Sequence, residues 1–283
     1  MFGKRSDGRL IKGVDIFFKI MPHIMDKRSD SQVFFKSEIE LGPLDEYITK
    51  KEAEGIKITY MDIIYAALVR LIAERPSLNR FVINKRVYAR DGIFVSLAIK
   101  KGMTDEAEES IVKLRFDGSE NIFEIKEKLQ NNIMENKKED ASNSTDKLAG
   151  MFKYTPNWML KVIVGVIKIM DNLGIMPKSI IKASPFHTST FLTNVGSIGL
   201  DAIYHHLYNF GTTSLFIAMG KKNKRFVYKE DDITEEKCIS LRIVADERIC
   251  DGFYYASSFK TFGKYLRRPE LLEERYVKKE DIK

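Results

Sequence analysis

The sequence predicts an α/β (α+β) two-layer sandwich, a mixed and largely buried sheet with flanking helices. Three observations lead there. Strand-like and helix-like stretches are mixed along the chain without strict alternation. The stretch ITYMDIIYAALVRLIAERP, residues 58–76, repeats apolar residues at helical spacing on more than one face, so it should be deeply buried. A chain of 283 residues also suffices for one large core without metals or disulfides.

Taken in order, QVFFKSEIEL (32–41) alternates and is rich in β-branched and aromatic residues, as a strand requires. Gly42-Pro43 ends it, and LDEYITKKEAEG forms a short helix closed by Gly55. Thr59, with Asp62 three residues on, makes a capping box for the 58–76 helix, which Pro76 stops. FVINKRVYA (81–89) is a hairpin turning at Asn84-Lys85. GIFVSLAIKKG and SIVKLRF are two further strands, and 120–138 is an amphipathic helix. KEDASNSTDK (138–147) lacks periodicity and is expected to be an exposed loop. An apolar segment follows at 154–186. HTSTFLTNVGSIG then begins a strand, TTSLFIAMG (212–220) is another, and KCISLRIVADE (237–247) is a long one. The helix from Asp251 to Leu272 puts Tyr255, Phe259, Phe262 and Leu266 on one face.

The net charge of +7 raises nucleic-acid binding, but acids and bases alternate along most of the chain. The densest basic cluster, KKNKR (221–225), is expected to be a solvated turn between strands, without the aromatic neighbours of a base-stacking surface. No nucleic-acid partner is expected. The two cysteines, Cys238 and Cys250, show no metal-ligand spacing and are expected to be reduced thiols; no metal site is expected. No secretory signal is apparent, and the most apolar run, 158–170, is too short to span a bilayer and carries Lys161 and Lys168. The expected location is cytoplasmic.

The stretch ADERICDGF (245–253) falls at the end of a strand and the start of an amphipathic helix. It resembles the D-H-R-x-x-D-G pattern of the 2-oxo acid dehydrogenase acyltransferases (dihydrolipoyl acyltransferases) and the H-H-x-x-x-D-G pattern of chloramphenicol acetyltransferase, which shares their fold. TFLTNVGSIG (190–199) is similar to the former family's T-F-T-[IV]-S-N-L-G-x-x-G. Residues 58–79 resemble its helix ending in P-x-L-N, SQVFFKSEIEL its first core strand, and RRPELL its final helix. The resemblance covers most of 20–137 and 187–275.

The resemblance implies a chloramphenicol acetyltransferase-like fold and a homotrimer with active sites in channels between subunits. Acyl-CoA is the implied co-substrate, with no covalently bound cofactor. The acceptor would be a thiol, hydroxyl or amine, either a small molecule or a lipid-like one. Thr193 is the implied donor to the oxyanion. Asp251 is the implied structural carboxylate, beside Asn194 and Gly252. Arg28 is its implied ion-pair partner.

Three departures qualify this. Glu247 stands where the family has its catalytic histidine. A free carboxylate, with a pKa of about 4.3 against about 6.5 for imidazole, is a weak base toward a thiol or hydroxyl. Either Glu247 acts from a desolvated pocket, or His205 or His206 has taken over. Otherwise the two histidines are packing or interface residues, and the protein is a non-catalytic trimeric scaffold or acyl-ligand or lipid binder. A His pair at adjacent positions makes a poor metal chelate. The second departure is an extra apolar helical insertion, about 138–186, within a single acyltransferase-like domain, 1–283. It is a subunit cap, a lid over an acyl chain, or a helix in peripheral membrane contact. The third is that the sequence contains no lipoyl domain and no subunit-binding domain. A stand-alone acyltransferase is the expectation.

Overall fold

The chain runs β1 (Gly8–Leu10), α1 (Ile16–Ile24), β2 (Gln32–Glu40), α2 (Gly42–Ala53), α3 (Tyr60–Glu74), β3 (Arg80–Ile83), β4 (Arg86–Arg90), β5 (Ile93–Lys100) and β6 (Glu109–Phe116). It continues with α4 (Ile122–Lys137), α5 (Ser144–Gly150), α6 (Asn157–Leu173), α7 (Lys178–Ala183), β7 (Thr190–Asn194), β8 (Leu215–Lys229), β9 (Asp232–Asp246) and α8 (Gly252–Arg267). The computed structural model describes residues 5–100, 109–137, 143–150, 152–229 and 232–282.

Six strands form a mixed sheet in the order β2-β9-β8-β7-β5-β6. Short β7 is parallel to both neighbours, β5 and β8, and the other pairings are antiparallel. Helices α2, α3, α4 and α8 lie on one face and share a single apolar core with it. This is the expected α/β two-layer arrangement. A separate small sheet, β1-β4-β3, stacks Phe81 on Tyr88.

Local signals carry the strongest elements. Residues 62–73 of α3 are all buried, matching its apolar positions on every face. The Thr59–Asp62 capping box is closed in both directions, and Gln130 also donates to Asp62 Oδ2 at 2.9 Å. Thr59→Ala should therefore destabilise the fold by about 1 kcal/mol in urea titrations. The Asn84-Lys85 hairpin turns with φ of 46° and 60°, the left-handed pair of a two-residue turn.

Some expectations are corrected. KKNKR lies within β8, where its charges alternate with half-buried positions against β9; the connection between those strands falls at 230–231, outside the described residues. Residues 144–147 of the expected loop begin α5, where Asn143 Oδ1 accepts from the Thr145 and Asp146 amides. Its other part, 138–142, lies outside the described residues. β1 and α1 had no counterpart in the sequence reading. Cys238 and Cys250 are free and buried, and burial pushes the Cys250 thiol up to about 12. No described helix is long and apolar enough to cross a membrane, and no metal-binding cluster occurs among the described residues.

Candidate active site

The period of two in a strand gives the large sheet two chemically distinct faces. The row Leu192–Ile217–Ile243–Phe35 faces the helices. The rows Phe191–Phe216–Val244–Phe34 and Thr193–Ala218–Arg242–Lys36 face the other way. The loop 201–214 covers part of that second face, seating Leu207 and Tyr208 on Phe191, Phe216 and Val244.

Thr193 is half-buried near the end of β7 on this open face. The hydroxyls just before it are occupied: Thr188 donates to Phe94 O, Ser189 to Asn79 Oδ1, and Thr190 to Phe191 O. Among the described residues nothing hydrogen-bonds the Thr193 hydroxyl. Asn194 has a structural task, since its Oδ1 accepts from the Ser197 amide at 3.2 Å and caps the next turn. Gly196 lies against the backbone of β8. A Cβ there would come within 2.3 Å of the Gly220 carbonyl oxygen, so the turn after Thr193 tolerates no side chain at this position.

His205 stacks flat on Phe216, with ring centroids 4.1 Å apart and planes at 4°, and the His206 ring stacks with His205 at 4.7 Å and 27°. His205 Nδ1 lies 3.1 Å from the His206 carbonyl oxygen. A carbonyl only accepts, so Nδ1 carries the proton and the neutral ring holds its lone pair on Nε2. Burial pushes the His205 pKa down, which favours that neutral form. Phe216 is two residues before Ala218, the partner of Thr193, so His205 sits on the same face, about 7 Å back along the strand direction. His206 is exposed, its ring edge-on to Tyr208.

The end of β9 differs from expectation. Arg28 pairs with Asp246 at 3.4 Å, not with Asp251. Asp246 is fully buried and accepts from Arg248 Nε and Nη2 at 2.8 Å each and from Ser31 Oγ at 2.9 Å. Arg28 also donates from Nη1 to the Tyr208 carbonyl and from Nη2 to the Val82 carbonyl. Burial pushes the Asp246 carboxyl up, but the Arg248 hydrogen bonds and charge, with the Arg28 charge, hold it below the ordinary value. Asp251 is instead the exposed N-cap of α8, accepting from the Tyr254 amide at 2.6 Å, and Gly252 opens that helix. Acids and bases pair by reach. Asp246 ends β9 inside the structure, whereas Asp251 lies beyond the turn.

Glu247 is exposed, so it occupies no desolvated pocket within the chain. Its amide donates to Ser31 O at 2.8 Å, and its charged neighbours Asp246 and Arg248 are engaged with each other. Thr193 shares a row with Arg242, five residues before Glu247. At about 3.3 Å per residue the two are about 16 Å apart along the sheet. A single chain does not bring them together.

This topology is that of the chloramphenicol acetyltransferase-like acyltransferase cores. Solved structures that share it include the following three. A probable dihydrolipoamide acetyltransferase from Listeria monocytogenes is 14% identical, with 95% of this chain and 96% of that one covered and a TM-score of 0.57. A dihydrolipoamide acetyltransferase from Azotobacter vinelandii, studied for a serine, a histidine and an asparagine in its catalytic mechanism, is 13% identical over 93% and 94%, with a TM-score of 0.59. A chloramphenicol acetyltransferase is 11% identical over 92% and 99%, with a TM-score of 0.53. Residues 168–273 match the family described as 2-oxoacid dehydrogenases acyltransferase (catalytic domain), a span that includes Thr193, His205, Glu247 and Asp251. No curated protein matches the sequence.

Proposed function

We propose that the protein transfers an acyl group from a thioester donor such as acyl-CoA to a thiol, hydroxyl or amine acceptor. The observation that carries this is the Thr193 hydroxyl, unoccupied on the open sheet face while its neighbours' hydroxyls are bound internally. A donor held there meets the oxyanion that forms when the acceptor attacks the thioester carbonyl. His205 is the proposed base. It is neutral, its tautomer leaves Nε2 free to take the acceptor's proton, and it shares the face with Thr193. Glu247 reaches such a centre only from a second copy of the chain, and a homotrimer with interfacial sites is the assembly the fold's resemblance implies. We place the protein in the cytoplasm.

The experiment is thiol release from a panel of acyl-CoA donors with alcohol, amine and thiol acceptors. Wild type, His205→Ala and Glu247→Gln are compared across pH. Turnover should fall as pH drops and His205 takes up a proton, and His205→Ala should remove that limb. Persistence of the limb in His205→Ala with its loss in Glu247→Gln would move the base to Glu247. No turnover with any donor would leave a non-catalytic acyl-ligand binder.

A second reading concerns α6. Trp158, Val162 and Ile169 are 67%, 58% and 60% exposed, and Met159, Val166 and Leu173 extend the same stripe. Lys161 and Lys168 flank it. An apolar stripe edged by lysines suits the interface of an anionic bilayer. Co-sedimentation with phosphatidylserine-containing liposomes is expected, and Trp158→Ser with Ile169→Ser should abolish it. Failure of wild type to co-sediment would leave the stripe to a subunit contact.

A further inference from the structure

A cavity of about 500 Å3 opens at the end of β7 remote from Thr193. Its walls include Asp7 ahead of β1, Arg90 at the end of β4, Phe94 with Lys113 and Arg115 on the β5–β6 pair, His187 just before β7, and Lys178 and Lys182 on α7. Ser189 pairs with Phe94 through its backbone, four residues before Thr193, so this cavity lies about 13 Å along the sheet from the acyl-transfer centre.

Its cations outnumber its available acids. Asp7 and Asp91 also line it, but Asp7 is held by Arg5 at 2.8 and 3.0 Å. Arg5 also pairs with Asp171, which accepts from His187 Nε2 at 3.1 Å if that nitrogen bears the proton. Arg90 is 5% exposed and donates through Nη2 to the Thr212 carbonyl at 2.7 Å. Its Nε and Nη1 are buried without any hydrogen-bond partner. Unpaired charged donors inside a protein are strongly unfavourable, and a ligand acceptor relieves them. Lys113 Nζ donates to the Ile181 and Ser184 carbonyls at 2.7 and 3.1 Å, which leaves the third hydrogen of an ammonium for another acceptor.

We propose that this cavity binds a phosphate-sized oxyanion, held by Arg90 and Lys113, with Arg115, Lys178 and Lys182 at its mouth. A guanidinium and an ammonium together suit a dianionic oxyanion, and the cavity leaves room for a small organic group attached to it.

The site has a pH signature. Burial pushes Lys113 down to about 7, Arg90 adds to that, and Asp7 opposes it. Arg90 itself stays cationic, with burial lowering it only to about 10. Burial shifts His187 down, against the hydrogen bond and charge of Asp171. The titratable groups sharing the cavity with Lys113 are Arg90 and Asp91 at the end of β4, Asp7 ahead of β1, His187 ahead of β7, and Lys178 and Lys182 from α7, with Arg115, which pairs with Asp117 at 2.8 Å, on its own strand. A bound anion favours the ammonium form, so binding weakens as pH rises through the Lys113 value.

The test is calorimetric titration of the full chain with inorganic phosphate, sulfate and acetate at fixed ionic strength, with chloride as the control. Phosphate and sulfate should bind saturably at one site per chain. Lys113→Met should weaken both at least about tenfold, as loss of a charged hydrogen bond does. Sulfate keeps its charge across neutral pH, so its affinity should fall between pH 6 and 8.5 in wild type but not in Lys113→Met. Arg90→Met should also abolish binding, with circular dichroism reporting its fold; if it does not fold, Lys113→Met and Lys178→Ala with Lys182→Ala decide. Saturable binding by acetate alone would assign the cavity to carboxylates and overturn the phosphate-sized match. No saturable heat, or binding unchanged in Lys113→Met, would overturn the site. The readout needs no turnover, so it stands or falls apart from the acyl-transfer reading.

Discussion

Thr193→Ala is expected to lower acyl-transfer turnover by about two to three orders of magnitude, the effect of removing one preorganised oxyanion donor. The argument rests on which hydroxyl is spare. Thr188 and Ser189 use theirs to tie the approach to β7 to Phe94 of β5 and to Asn79, so their loss would damage folding, and Thr190 bonds the carbonyl of its neighbour Phe191. The Thr193 hydroxyl holds nothing in the described structure, so its removal should leave the thermal midpoint nearly unchanged. Thr193→Ser keeps the hydroxyl and should retain most of the turnover. Steady-state rates with the best donor and acceptor check both variants against wild type. Equal rates in wild type and Thr193→Ala would reject this residue as the oxyanion donor.

Asp246→Asn should destabilise the fold by about 3–5 kcal/mol, because it strands two buried guanidinium groups. Arg28 and Arg248 are 4% and 3% exposed, and Asp246 is the carboxylate that both meet. Chemical denaturation at neutral pH measures the effect. The pH dependence follows from the depressed carboxyl. A carboxylate whose folded value lies below its unfolded value of about 3.9 contributes fully above that value. The contribution is lost as pH falls through the folded value. Wild type should therefore lose stability in acid more steeply than Asp246→Asn, and parallel acid profiles would show that Asp246 does not supply this linkage. Arg248→Met with Asp246→Leu, which removes charges of both signs, should recover part of the loss.

The large sheet and its helices were legible because their signals are local. Alternation marked β2, the capping box marked α3, and Asn84-Lys85 marked the β3–β4 turn. The lower half of β8 was not legible. Its KKNKR run has turn-like composition, and only cross-strand partners such as Glu235 and Glu236 make it a strand. At the proposed site, motif order is what singles out Thr193 and Asn194. The Arg28 partner was misassigned because ion pairing depends on which acid is buried, and two candidate acids lie within five residues. Asp246 carried a weak signal, an acid closing the apolar run ISLRIVA. The Arg90–Lys113 cavity carried none, since it gathers residues from β4, β6, α7 and the approach to β7 that have no common spacing.

The seventeen-residue helix α6 has one buried residue, Asp171, in its last turn, and Arg5 and His187 hold that residue. Mechanically it is a cantilever, clamped at the root and loaded along its free length. Its root is tied through Asp171, whereas Trp158 and Val162 at the outer end stand exposed. Hydrogen exchange should accordingly fall off from tip to root, and what docks on the arm can change without repacking the layer that carries Thr193.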